Sequence, residues 1–143
     1  MITIFAVNCL VVTLAVMVHY EFLSFLTRAL KKMRAAHRFR IVAGVLGAML
    51  AHSIEIWIFA LAYYFMHGHG HFGDLIGNFT GSLLDCAYFS FTVFTTLGFG
   101  DIEPTGPLRF MAGLESLTGL LLIAWTASFL FYEMQRFWGE SSK

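Results

Sequence analysis

The sequence predicts an all-α integral membrane protein: three membrane-spanning helices, with a short re-entrant helix and a non-helical return between the second and third. Three observations lead there. Hydrophobic residues make up 58% of the 143 and charged residues only 13%, against about a quarter charged in ordinary soluble chains, too few to cover a globule of this size with polar surface. Three apolar runs approach or exceed the roughly 20 residues that cross a bilayer. A fourth apolar piece is too short to cross and leads into glycine-rich sequence.

The first run, residues 1–20, is near the minimum length for a span. It has no basic leading segment and no small-x-small cleavage pattern, so it is expected to be retained as a transmembrane helix. Residues 21–40 follow as a basic segment holding Arg28, Lys31, Lys32, Arg34, Arg38 and Arg40, six of the nine basic residues. Beside them Phe22, Phe25, Leu26, Ala29, Leu30 and Met33 recur at helical spacing. That pattern predicts an amphipathic helix along the cytoplasmic interface, attracted to anionic lipid over residues 28–40.

Residues 41–66 form the second span and 107–134 the third. Arg136 and Lys143 lie in a short tail, 136–143, which leaves only Arg109 on the opposite side. Basic residues concentrate on cytoplasmic loops, so the N-terminus is expected outside and the C-terminus in the cytoplasm. The expected setting is the cell membrane of a prokaryote. No span carries regularly spaced arginines, which excludes an arginine-rich voltage sensor. A formal net charge of zero argues against a nucleic-acid partner. Cys9 and Cys86 have no CxxC spacing and indicate no disulfide framework.

The outer connection begins with a turret, 67–81. Ser82 and Asp85 then make a helix start signal, because the serine oxygen and the carboxylate satisfy free N–H groups. The helix expected over 82–95 is about 20 Å long at 1.5 Å per residue, too short to span. It has to return through non-helical backbone, which a membrane tolerates only where that backbone is buried in protein or lines a water-filled path.

At this point the residues resemble a known family. Thr96-Leu97-Gly98-Phe99-Gly100-Asp101, behind Thr95 and ahead of Pro104, is similar to the selectivity-filter signature of potassium channels. The order of span, short helix, filter and span over residues 41–135 resembles their two-transmembrane pore module, with an extra helix in front. In that family carbonyl rings from four loops replace the hydration shell of the ion. The resemblance therefore implies a homotetramer in a lipid membrane, potassium ions at Thr96, Leu97, Gly98, Phe99 and Gly100, and no organic cofactor. Thr92, Thr95, Tyr88 and Asp101 are expected to support the filter. Gly119 falls where the family often keeps an inner-helix hinge, and Ile123, Ala127 and Phe131 follow at four-residue spacing as candidates for the cavity lining. Leu97 stands where valine or isoleucine is commoner, Phe99 where tyrosine is, and Thr92 where some members place a glutamate. Tyr88 and Phe89 replace a frequent tryptophan pair.

Outside the motif, His52, Glu55 and Glu115 lie within spans, where an ionisable side chain is a functional candidate by default. His52 and Glu55 share a helix face. Counted down from the outer ends, the two acids reach similar depth. The expectation is one buried acid–imidazole cluster behind the short helix, a candidate gating element. The HGHGH stretch supplies His67, His69 and His71, ligand types that suit zinc, copper or nickel, but its glycines and the lack of an acidic or cysteine ligand at a convincing spacing make a flexible turret the better reading. Asp74, Asp101 and Glu103 are expected to form a cation-attracting outer vestibule.

The leading reading is a passive potassium-selective channel. One alternative is a weakly selective monovalent cation channel. Another, of a different class, is a small membrane metal- or haem-binding protein using its histidines, which predicts two histidines facing each other across spans. No nucleophile–base pair or carboxylate dyad has a spacing that suggests an enzyme.

Overall fold

A computed structural model describes residues 2–33 and 37–140. The elements are α1 (Ile2–Lys32), α2 (His37–Met66), β1 (Leu75–Gly77), α3 (Leu83–Phe94), β2 (Ile102–Pro104) and α4 (Leu108–Glu140). Three helices are long and apolar enough to cross a membrane, and α3 is the shorter apolar helix between them. The protein is thus a helical membrane protein with the element order expected. To it are added two three-residue strands, antiparallel, with Leu75 opposite Pro104 and Gly77 opposite Ile102.

The first helix departs from expectation. In place of a span ending at residue 20 and a separate interfacial helix, α1 runs unbroken to Lys32. Nothing interrupts it, since residues 2–32 contain neither glycine nor proline. At 1.5 Å per residue it is about 46 Å long, well beyond a hydrocarbon core of about 30 Å. Leu23, Leu26 and Leu30 are buried. Leu26 and Leu30 lie against α2, at Gly47 and Gly44. The apolar side of the 21–33 stretch is therefore used in packing against the neighbouring helix, while Phe25 stays exposed. Arg34 and Lys143 lie outside the described residues, as does the side chain of Arg136. The second span begins at His37 and the third continues to Glu140, into the segment read as a tail.

Helix α3 is built as its start signal requires. Ser82 is in extended backbone and its hydroxyl accepts from the Asp85 N–H, a cap whose loss costs about 1 kcal/mol in a typical helix. Asp85 in turn accepts from both the hydroxyl and the N–H of Thr80, at 2.6 and 2.8 Å. Those bonds, the hydroxyl first, hold its carboxyl below the usual carboxylate range. Cys86, Ala87, Phe89, Ser90, Thr92 and Phe94 are buried. Phe59, Tyr63, Phe94 and Met111 form the centre of the core, so α3 is seated between α2 and α4. Tyr63 meets Phe89 edge-on with ring centroids 5.0 Å apart. Cys9 and Cys86 are both free, and burial pushes the Cys86 thiol up to about 11.

Candidate functional site

The loop after α3 begins with the carbonyls that the end of any helix leaves free. Phe91 accepts from the N–H of Thr95 at 3.2 Å, Val93 from Thr96 at 2.9 Å and Thr92 from Gly98 at 3.0 Å. Ser116 of α4 donates its hydroxyl to Val93 as well, at 2.9 Å. Beyond this anchorage φ is positive at Thr96 (59°), Gly98 (52°) and Gly100 (77°), with no positive φ at Leu97 or Phe99. Every second residue is left-handed, and alternation of this kind lets successive carbonyls face the same side. Glycine adopts the left-handed region freely, whereas a non-glycine residue such as Thr96 is uncommon there. Residues 95–100 are all exposed, Leu97 at 59% and Phe99 at 63%.

The far end of the loop is also fixed. The Asp101 carbonyl accepts from Asn78 N–H at 2.8 Å, and Ile102 enters the strand pair opposite Gly77. Tyr88 Oη donates to Asp101 Oδ2 at 2.9 Å, and its ring lies nearly parallel to Phe99 at 6.4 Å. That bond to the carboxylate is the first cause raising the Tyr88 phenol above its ordinary range. The neutral, donating phenol is the favoured form. Its contribution is complete below the ordinary phenol value and is lost as pH rises through the raised one. Replacing Tyr88 by Phe keeps the ring and removes the donor. We expect Tyr88→Phe to loosen this end of the loop, speeding amide hydrogen exchange at Asn78, whose N–H bonds the Asp101 carbonyl, by no more than about fivefold, the worth of one ordinary net hydrogen bond. Thr92, by contrast, donates its hydroxyl to the Phe89 carbonyl at 2.8 Å. Thr95 does the same toward Phe91 at 2.6 Å.

The buried polar groups form two clusters in place of the single one expected. In the first, Glu115 is fully buried and accepts from Tyr63 Oη at 2.6 Å. Ser90 Oγ lies 2.5 Å from its other oxygen and 2.9 Å from the Ile56 carbonyl. This cluster ties α2, α3 and α4 together behind the loop. In the second, Glu55 Oε1 is 2.8 Å from His19 Nδ1 and Oε2 is 2.9 Å from His52 Nδ1. His52 Nε2 lies 3.0 Å from Thr126 Oγ1. The separation is partly axial, since Thr126 and Glu115 are eleven residues apart on α4, and partly azimuthal. Consecutive residues on a helix are about 100° apart, so Ile56 faces α3 while Glu55 faces α1.

Gly119 lies on α4, where an added Cβ would be 2.1 Å from the Phe94 carbonyl oxygen. Helix α4 continues unbroken through it, so glycine here serves a close approach to the end of α3. Ile123, Ala127 and Phe131 are exposed. Steps of four overshoot a helical turn by about 40°, which winds this row off the α3 contact and onto the open face.

The turret histidines do not converge. His67 Nδ1 accepts from Leu75 N–H at 3.2 Å and its ring meets Phe79 edge-on at 4.7 Å, while His69 and His71 are exposed. Of the expected vestibule acids, Asp74 accepts from Gly68 N–H at 3.1 Å.

Sequence reasoning did not reach His19, Tyr63, Ser90, Ser116 or Thr126. His19 had a usable signal, an ionisable residue in an apolar run. Ending the span at residue 20 placed it at the membrane surface, and only the continuous α1 puts it inside.

Comparison with known proteins places the chain in a family. A family model described as ion channel matches residues 51–136. The inward rectifier potassium channel Kirbac3.1 of Paramagnetospirillum magnetotacticum is 37% identical over 81 residues, which cover 55% of this chain and 25% of that protein. The chain thus spans about a quarter of the length of this relative. No solved structure matches it.

Proposed function

The chain belongs to the ion channel family, so it is a channel and not an enzyme, and we propose that four copies of it form a potassium-selective pore. The observation that carries this reading is the alternation of positive φ at Thr96, Gly98 and Gly100, in a loop tethered at both ends and exposed along its length. Potassium channels replace the hydration shell with carbonyl oxygens from four such loops. In this reading the carbonyls of Thr96, Leu97, Gly98, Phe99 and Gly100 hold the ions, with the Thr96 hydroxyl at the inner end. One chain supplies one quarter of each ring, which accounts for the exposure of Leu97 and Phe99. Neighbouring subunits would cover them.

The C-terminal end of α3 carries the negative end of the helix dipole and favours a cation beside it. Ile123, Ala127 and Phe131 would line the cavity below, and Asp101 and Glu103 the outer mouth. Arg28, Lys31 and Lys32, at the end of α1, would sit against anionic lipid on the cytoplasmic side.

The metal- or haem-protein alternative predicts histidines facing across spans, and His19 and His52 do stack with centroids 5.4 Å apart. Each already bonds an oxygen of Glu55, and membership of the channel family accounts for the loop that alternative leaves unexplained. Liposomes containing only this protein should release potassium faster than sodium by at least about 100-fold, close to 3 kcal/mol of discrimination. Equal rates would favour a weakly selective monovalent cation pore. No flux of either ion would defeat the conduction reading.

A further inference from the structure

The second buried cluster joins a helix that the family match does not cover to the helix expected to line the pore. His19 comes from α1, outside residues 51–136. It and Glu55 are completely buried, and His52 is 17% exposed. An isolated carboxylate in such surroundings is costly and calls for a compensating cation. Among the described residues the groups facing it are His19 from α1, His52 from α2 and Thr126 from α4. Trp125 of α4 and Phe94 of α3 contribute only rings, 5.1 Å from His19 and 5.8 Å from His52. No lysine or arginine has a described bond to the cluster.

Counting protons defines two states. When both imidazoles donate from Nδ1 to the carboxylate, both Nε2 atoms are bare and the cluster carries one negative charge. His52 Nε2 then accepts the Thr126 hydroxyl proton. One more proton neutralises the cluster, and it has two possible seats. His19 Nε2 is buried without a hydrogen-bond partner, so an N–H there would be unsatisfied. His52 Nε2 is the better seat, because Thr126 Oγ1 can turn from donor to acceptor at the same 3.0 Å separation. The freed Thr126 hydroxyl proton then has the carbonyl one turn back on α4 as its natural acceptor. Back-bonding of that kind bends helices.

We infer that His19, Glu55 and His52 form a proton-binding site inside the membrane that reports to the inner helix through the direction of the Thr126 hydrogen bond. Its effect on flux rests on the channel reading, whereas its protonation does not.

Two measurements on the full-length reconstituted protein test it. Solid-state ¹⁵N spectra taken along a pH series should show His52 Nε2 gaining a proton, with Thr126 as its acceptor, while His19 Nε2, which has no partner, stays bare. Flux should change by about fivefold or more along the same series, a modest coupling between sites. Thr126→Val keeps the shape of the side chain and removes the hydroxyl, so it should abolish most of that change. A wild-type His52 Nε2 that keeps one protonation state throughout would overturn the inference, as would a stoichiometric metal ion in the purified protein. A Thr126→Val channel with the full wild-type pH response would overturn the link to the inner helix. Loss of flux with the ¹⁵N titration intact would count against the channel reading alone.

Discussion

Alanine at position 119 is expected to lose nearly all assembled, conducting protein, although it adds a single methyl group. That methyl would sit 2.1 Å from the Phe94 carbonyl oxygen and 2.9 Å from its carbonyl carbon. Both are backbone atoms at the end of α3, where the chain turns into the 96–101 loop. Neither can move without dragging the anchorage at Thr95, Thr96 and Gly98. Overpacking typically costs about 1–3 kcal/mol, and a clash with fixed backbone belongs at the top of that range. About 3 kcal/mol corresponds to roughly a 100-fold fall in the competent population. Flux per milligram of reconstituted Gly119→Ala, read beside its oligomer band on a mild gel, checks this. A purely flexural role for Gly119 predicts another outcome: an intact oligomer with altered gating. The alanine variant thus separates close packing from bending.

The second large effect is expected at Glu115. Alanine there removes the acceptor for Tyr63 and the partner of Ser90 and leaves a void between α2, α3 and α4. The cavity and the stranded hydroxyls together cost about 3–5 kcal/mol, by analogy with other large-to-small core changes and buried unpaired groups. Glutamine should be tolerated. Its oxygen can accept from Tyr63 while its amide donates to Ser90, which leaves the Ser90 proton for the Ile56 carbonyl at 2.9 Å. The midpoint of thermal dissociation of the assembled protein should therefore drop steeply in Glu115→Ala and little in Glu115→Gln. Equal drops would mean that the carboxylate charge, and not the hydrogen-bond geometry, supports α3.

What could be read from sequence divides along a physical line. Counting residues gives an expected depth, comparable for Glu55 and Glu115, whereas the two clusters meet α4 eleven residues apart, at Thr126 and Glu115. Counting gives no azimuth, because that depends on which neighbour each face meets. Glu55 accordingly turns to α1 and Glu115 to α3. The 96–101 loop is legible because its glycines state a backbone requirement directly. Thr96 shows the remainder: its φ of 59° lies in a region that threonine seldom adopts, so its residue type does not announce it. The interruption expected near residue 20 fails because a drop in hydropathy ends a membrane span but does not end a helix. Breaking the helix would have required glycine, proline or a competing cap.

The bond between His19 and Glu55 bears on how this channel can be dissected. Residues 51–136 carry the family match, which invites a minimal pore without the first helix. Cutting there would strip the carboxylate at position 55 of its partner across α1 and turn it toward hydrocarbon. The shortest autonomous unit is therefore longer than the homologous one, and a version trimmed at the front needs a neutral residue at position 55 before it can be expected to enter a bilayer.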